Sequence, residues 1–308
     1  DALTDADFNV AMGFQALTTD TLGSRSTAIG HHALQTQNFS SATDSLNTAV
    51  GFQSCKSLTT GVQNTIIGSG AGDALTDAHF NVVVGTDALG ADTLGSRNVA
   101  IGRRTLLAQN FTSATEVYNT VVGFEAGNDI TTGVENTLVG GLAGDALTDA
   151  DFNTAIGSKA LDSDTQGSRT TAVGRNALKN QNFSSATDSH NVAVGFEAGL
   201  GLTTGEKNIF VGSQAGGDST FTGDSNTLVG YAAGFNLTSG GNNLFLGKQA
   251  GRSGSPSGQI VTGSNVVCLG DDNITSLHCA DTSISSSDSR DKADITDFNI
   301  GLNWIKDL

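Results

Sequence analysis

Short units of alternating polarity run along the whole chain. Each is an Asn or a hydroxyl residue, three apolar-leaning positions, then Gly. The series opens with NVAMG at Asn9, STAIG at Ser26, NTAVG at Asn47 and NTIIG at Asn64. It runs on through NTLVG at Asn136 and TTAVG at Thr170 to NLFLG at Asn243 and a stretched NVVCLG at Asn265. In NTAVG, strand alternation puts Thr48 and Val50 on one face and Ala49 on the other. The fourth position is large and apolar in nearly every copy, and the second and third are mostly apolar. Both faces are therefore expected to be at least partly buried, one inside its own coil and one against a neighbouring chain. The Gly that follows supplies a corner, and a second corner comes soon after, as in GFEAG at Gly123–Gly127.

The units advance by 17, 21, 17 and 17 residues and then start again, giving a larger repeat of 72. DALTDADFN at Asp1 returns as DALTDAHFN at Asp73 and as DALTDADFN at Asp145. Fixed periods of this kind predict a solenoid. The expected fold is all-β, a parallel β-solenoid (β-roll) of 17–22-residue coils, with a short, partly helical C-terminal tail. The Gly content excludes the rival heptad coiled coil. The solenoid is expected over 1–280, as superrepeats 1–72, 73–144 and 145–216 and a degenerate 217–280, with 281–308 as a separate tail.

The longer coils carry extra residues in Gln35–Leu46, Leu107–Tyr118 and Lys179–His190. Loops that interrupt an even coil usually carry contacts, so these are expected to protrude at matching azimuth. Asn38 and Phe39, Asn110 and Phe111, and Asn182 and Phe183 are the candidate binding residues. Each pair sits in an Asn-Phe-Ser or Asn-Phe-Thr sequence, read as a polar loop tip and not as a glycan acceptor. Phe8, Phe80 and Phe152, with Phe52, Phe124 and Phe196, are expected to meet symmetry mates on a three-fold axis or to plug a coil corner, and core plugging is preferred to stacking on sugar. Arg25, Arg97 and Arg169 each follow an Asp by five residues. They are expected to pair with Asp20, Asp92 and Asp164 or with a neighbouring chain, in preference to binding anionic sugars.

Composition sharpens this picture. Forty Gly, one Pro and 6% aromatic residues suit stacked turns better than a globular core. Buried small residues cannot hide enough apolar surface in one coil, which predicts a parallel homotrimer. A net charge of −16 disfavours nucleic acid as a ligand. No apolar run is long enough to span a membrane, so no membrane insertion is expected. Cys55, Cys268 and Cys279 match neither a disulfide framework nor a zinc spacing. The trios Asp1, Asp5, Asp7 and Asp145, Asp149, Asp151 hint at calcium loops, but turn capping explains them better. Neither metal nor cofactor is expected, and no enzyme motif is present. A signal peptide is not visible, and the natural chain is expected to begin upstream.

The tail carries a more specific pattern. SSDSRDKADI at Ser286–Ile295, followed by GLNWIKDL at Gly301–Leu308, resembles the start of the endosialidase-type intramolecular chaperone of phage tail fibres and tailspikes. That resemblance implies a trimer-assembly domain that cuts itself off before the Asp of a Ser-Asp-x-Arg-x-Lys motif. Ser287, Asp288, Arg290 and Lys292 stand in those places, with Ser287 as nucleophile and Lys292 as its base. The coils themselves resemble the β-roll heads of trimeric autotransporter adhesins. Together the resemblances imply an extracellular segment of a virion tail fibre that attaches to a host-surface glycan or protein receptor and joins other tail proteins. Apart from self-cleavage, no enzyme activity is expected. The rival readings are a bacterial adhesin head and a polysaccharide-degrading tailspike, and the second would need converging carboxylates.

Overall fold

The computed structural model describes residues 6–255 and 258–276. The expected helical tail and Ser287, Asp288, Arg290 and Lys292 lie outside the described residues, as do Asp1, Asp5 and Cys279. Among the described residues every regular element is a β-strand. The three residues after each Asn or its hydroxyl substitute form a strand, from Val10–Met12 to Leu244–Leu246, and in the stretched last copy Val266 takes the Asn place before Val267–Leu269, with Asn265 at the left-handed corner. These strands stack in chain order into one 15-stranded parallel sheet. Equivalent positions pair throughout, as in Thr48↔Thr65, Ala49↔Ile66 and Val50↔Ile67. Fourteen steps of about 4.8 Å give the sheet a length of roughly 67 Å.

Coil-to-coil bonding continues past the strands. Gly51 N–H donates to Ile29 O at 2.8 Å, Gln53 N–H to His31 O at 2.8 Å and Cys55 N–H to Ala71 O at 3.1 Å. The corners depend on left-handed backbone, and most of it is not glycine. Gln53 (φ 56°) and Cys55 (φ 50°) turn one corner, and the residue before each Asn turns another, as at Arg97 (φ 64°) and Tyr118 (φ 56°). Such a residue costs about 1–2 kcal/mol, which the regular inter-coil bonding offsets.

Packing inside each coil balances large against small. The middle strand residue points inward and is buried in every main-sheet strand after the first, where Ala11 at the end of the stack is exposed. Where it is Ala, as at Ala28, Ala100, Ala155 and Ala172, the corner below carries Leu34, Leu106, Leu161 or Leu178. Where it is large, as at Ile66, Leu138, Leu228 and Phe245, the corner is Gly72, Gly144, Gly234 or Gly251. A Cβ on Gly72 would lie 2.9 Å from Ile66 Cδ1, and one on Gly144 would lie 3.0 Å from Leu138 Cδ1. In most coils this exchange evens out the interior volume; where both places are small, as at Ala193 and Gly199, the adjacent coils fill the space, and a Cβ on Gly199 would lie 2.7 Å from Leu178 Cδ2 and 2.9 Å from Phe210 Cδ2.

The Asn of each unit is buried and forms a ladder. Asn136 N–H donates to Asn119 Oδ1 at 2.8 Å, and its Nδ2 donates to Ala150 O at 2.8 Å. Its Oδ1 accepts from Asn153 N–H at 2.9 Å. Most of these side chains join two neighbouring coils and satisfy a corner carbonyl, as Asn81 and Asn208 do, whereas the buried Asn98 Oδ1, at the step into a long coil, accepts from no described group.

Candidate binding surface

The long coils fold inward more than their composition suggests. Asp20, Asp92 and Asp164 are fully buried. Asp92 Oδ1 accepts from Gly95 N–H at 3.1 Å and from Phe111 N–H at 3.1 Å, and Oδ2 accepts from Gln109 Nε2 at 2.6 Å. Gln109 Oε1 in turn accepts from Asn119 Nδ2 at 2.9 Å. The same chain runs through Asp164, Gln181 and Asn191. Burial pushes the carboxyls of Asp92 and Asp164 up, and these hydrogen bonds oppose the shift.

This network corrects the pairing expected for the arginines. Asp20, Asp92 and Asp164 are spent inside the coil, so Arg25 bonds Asp44 at 2.9 Å, Arg97 bonds Glu116 at 2.9 Å and Arg169 bonds Asp188 at 3.1 Å. Each acceptor lies 19 residues after its Arg, on the adjacent coil. That constant offset was readable in the sequence, but Glu116 and its neighbour Tyr118 were not picked out from it. The partners meet where two short ladders run, for example Gly95–Ser96 beside Thr115–Glu116.

The candidate loop residues divide. Phe39, Phe111 and Phe183 are only 6–8% exposed and pack inside the coil, so their ring faces are occupied by the protein. The Phe183 ring leaves no room for a Cβ on Gly167, which would sit 2.8 Å from its Cδ2. Asn38, Asn110 and Asn182 stay exposed. Their Oδ1 atoms accept from Thr21, Thr93 and Thr165 at 3.1 Å each. The expectation for the other phenylalanines reverses as well. Phe8, Phe80 and Phe152, and Phe52, Phe124 and Phe196, lie on the outside, 40–78% exposed. The left-handed residue before the Asn turns its side chain away from the core, and the residue after the strand Gly likewise points out.

Two outer columns therefore flank the main sheet. On one side run Phe80, Arg97, Tyr118 and Glu135, each just before an Asn, and the series resumes with Phe152 and Arg169. The Arg97 guanidinium carbon lies 4.7 Å from the Phe80 ring centre and 5.7 Å from that of Tyr118. Arg169 lies 4.7 Å from Phe152, and Arg25 lies 5.2 Å from Phe8. On the other side Phe14, His31 and Phe52 stack at 5.2 and 5.3 Å, and Arg103 and Arg175 lie over Phe124 and Phe196. Between the columns, the outward strand positions form an apolar stripe that includes Ile67, Ile101, Val139, Ile156 and Val194, each about two-fifths exposed.

Within the trio Asp145, Asp149 and Asp151, one carboxylate serves as a turn cap. Asp151 Oδ1 accepts from Val134 N–H at 2.8 Å, a backbone cap, and His79 does the same work for Val62 through Nδ1 at 3.1 Å. Among the described residues no group of three His, Cys, Asp or Glu side chains converges as metal ligands would. Among the described residues no helix is long and apolar enough to cross a membrane. No protein-family model matches the chain, and no curated protein matches it either.

Proposed function

We propose that the chain is the shaft of a phage tail fibre, a parallel homotrimer whose work is reach and attachment to a host surface. The observation that carries this reading is the apolar stripe on the outer face of the sheet. Its outward residues run over all fifteen rungs and total on the order of 1,000 Å² per chain, well above the patches typical of monomers and in the range of stable interfaces. A second copy in the same direction has the matching rung spacing, so every apolar side chain meets another at its own level.

The tail sequence supports the phage setting through Ser287, Asp288, Arg290 and Lys292, which stand where the chaperone family cleaves itself. A host-surface glycan or protein and other tail proteins are the partners of this reading. Light scattering tests the assembly. A stable trimer is expected, and Ile101→Lys with Val139→Lys should dissociate it without unwinding the coils, because both side chains point outward. A folded wild-type monomer would sink the reading.

A further inference from the structure

The Phe, Arg and carboxylate cassette recurs three times on one flank: Phe8, Arg25, Asp44; Phe80, Arg97, Glu116; Phe152, Arg169, Asp188. Successive copies are four coils apart, roughly 19 Å. The middle copy borders a cavity of about 180 Å³ lined by His79, Phe80, Arg97, Thr115 and Glu116 among others. We propose that this cavity binds one ring of a neutral saccharide. The inference deepens the attachment reading above and rests on it.

The chemistry selects the ligand class. Arg97 donates from Nε to Glu116, and Glu116 Oε2 accepts from the Tyr118 hydroxyl at 2.7 Å. Among the described residues no side chain accepts from the outer N–H groups of Arg97. Guanidinium donors thus stand beside carboxylate acceptors, the pair that two adjacent sugar hydroxyls satisfy by accepting from one and donating to the other. Phe80, which lines the cavity, is 41% exposed and offers apolar surface to the C–H face of a ring.

Other ligands fit less well. The Glu116 carboxylate, which the Tyr118 and Arg97 hydrogen bonds hold ionised below the usual range, repels an anion. The net charge of −16 adds to that, so phosphorylated or sialylated ligands are disfavoured. An extended peptide would need a free strand edge, and adjacent coils already bond on both outer sides of this ladder, with Arg97 N–H donating to His79 O at 3.0 Å and Glu135 N–H to Val117 O at 2.9 Å. The outer copies have the shorter Asp44 and Asp188, with Leu46 and His190 in place of Tyr118. The middle copy should therefore bind best, and the outer two add avidity on a polymeric glycan.

Saturation-transfer NMR tests this with methyl α-mannoside, methyl β-glucoside and methyl β-galactoside as probes, and with N-acetylneuraminic acid as the anionic comparator. Transfer to at least one neutral glycoside is expected. It should weaken roughly tenfold in Arg97→Ala and in Phe80→Ala, the loss of one charge-assisted contact. Glu116→Gln, at an exposed site, tests the same pair without risk to the fold and should weaken binding likewise. No transfer from any neutral glycoside, stronger transfer to the anionic sugar, or binding unchanged in all three variants would overturn the site. Light scattering on the same samples reports assembly separately. A trimer that binds no glycoside refutes the site alone, and a folded monomer that binds one refutes the trimer alone.

Discussion

Truncating Asn136 to Ala removes one link of the buried ladder and should cost far more than a typical polar substitution. The change leaves the Ala150 carbonyl without its Nδ2 donor and the Asn153 N–H without its Oδ1 acceptor, in a place sealed from water. An orphaned buried group costs about 1–3 kcal/mol, so two together should destabilise by about 3 kcal/mol after partial relaxation. Urea unfolding of the assembled protein reads the total. Hydrogen exchange reads its distribution, because coils contact only their neighbours. Amides of the coils around Asn119, Asn136 and Asn153 should lose protection, and those near Thr27 and Thr48 should keep theirs. Asn136→Asp offers a second reading: it keeps the acceptor but points a carboxylate at the Ala150 carbonyl, so it should be worse at neutral pH and partly rescued in acid. The protein itself shows what an exchange in this column requires. Thr170 stands in an Asn place, and its Oγ1 meets Ser189 Oγ at 2.6 Å and accepts from Gln181 Nε2 at 3.1 Å. A loss below about 1 kcal/mol for Asn136→Ala, or protection lost evenly along the rod, would refute this account of the ladder.

Three further outcomes follow from the same geometry. Gly123→Ala should destabilise by about 2–3 kcal/mol, since its φ is 152° and the new Cβ would lie 2.6 Å from the Gly140 carbonyl carbon, whereas Gly141→Ala, with nothing closer than 3.9 Å, should be near neutral; equal melting temperatures would contradict this. Burial, and then the charges of Asp129, Asp162 and Glu125, raise the Asp145 carboxyl to about 6, so its favourable contribution is present below the ordinary value of 3.8 and is lost as pH rises through about 6. Asp145→Asn should therefore raise stability at pH 7 by about 1 kcal/mol, after allowance for the screening of a half-exposed group, and the gain should vanish in melts at pH 3.5. Mass spectrometry of the full-length gene product should find a C-terminus at Ser287, with Ser287→Ala left uncut; an intact wild-type chain would count against self-cleavage.

The spacing of Asn and Gly was enough to place the strands of the main sheet up to Leu244–Leu246, with their parallel partners and register, because each inter-coil bond joins equivalent positions; the short side ladders such as Gly95–Ser96 beside Thr115–Glu116 carry no such mark. Which strand face turns inward was not legible, because alternation only separates Thr48 and Val50 from Ala49 and the inward place takes residues from Ala49 to Phe245. What the spacing hides is how side chains leave the corners. Phe8 and Phe39 look alike in the sequence, but Phe8 sits at a left-handed residue that points out, and Phe39 is drawn in over Gly23 beside Asp20. Sequence distance misled in the same way for Arg25. Asp20 is five residues away but is satisfied within its own coil, and Asp44 is nineteen away but one rung over. The Tyr118 and Glu116 pair escaped notice because one superrepeat in three has it.

The size exchange between the strand centre and the corner has a consequence for how such a chain can change its length. Most coils carry their own complement of volume, so the coil and not the residue is the smallest piece that can be gained or lost without leaving a gap. Losing a single residue would shift every later side chain off its ladder. Removing 73–144 would instead join Gly72 to Asp145, whose surroundings nearly duplicate those of Asp73, and would keep each Asn, Gly and Arg above its partner. Reach is therefore inherited in steps of roughly 19 Å, and unequal recombination between near-identical segments is a ready route by which the rod lengthens or shortens while its cross-section stays fixed.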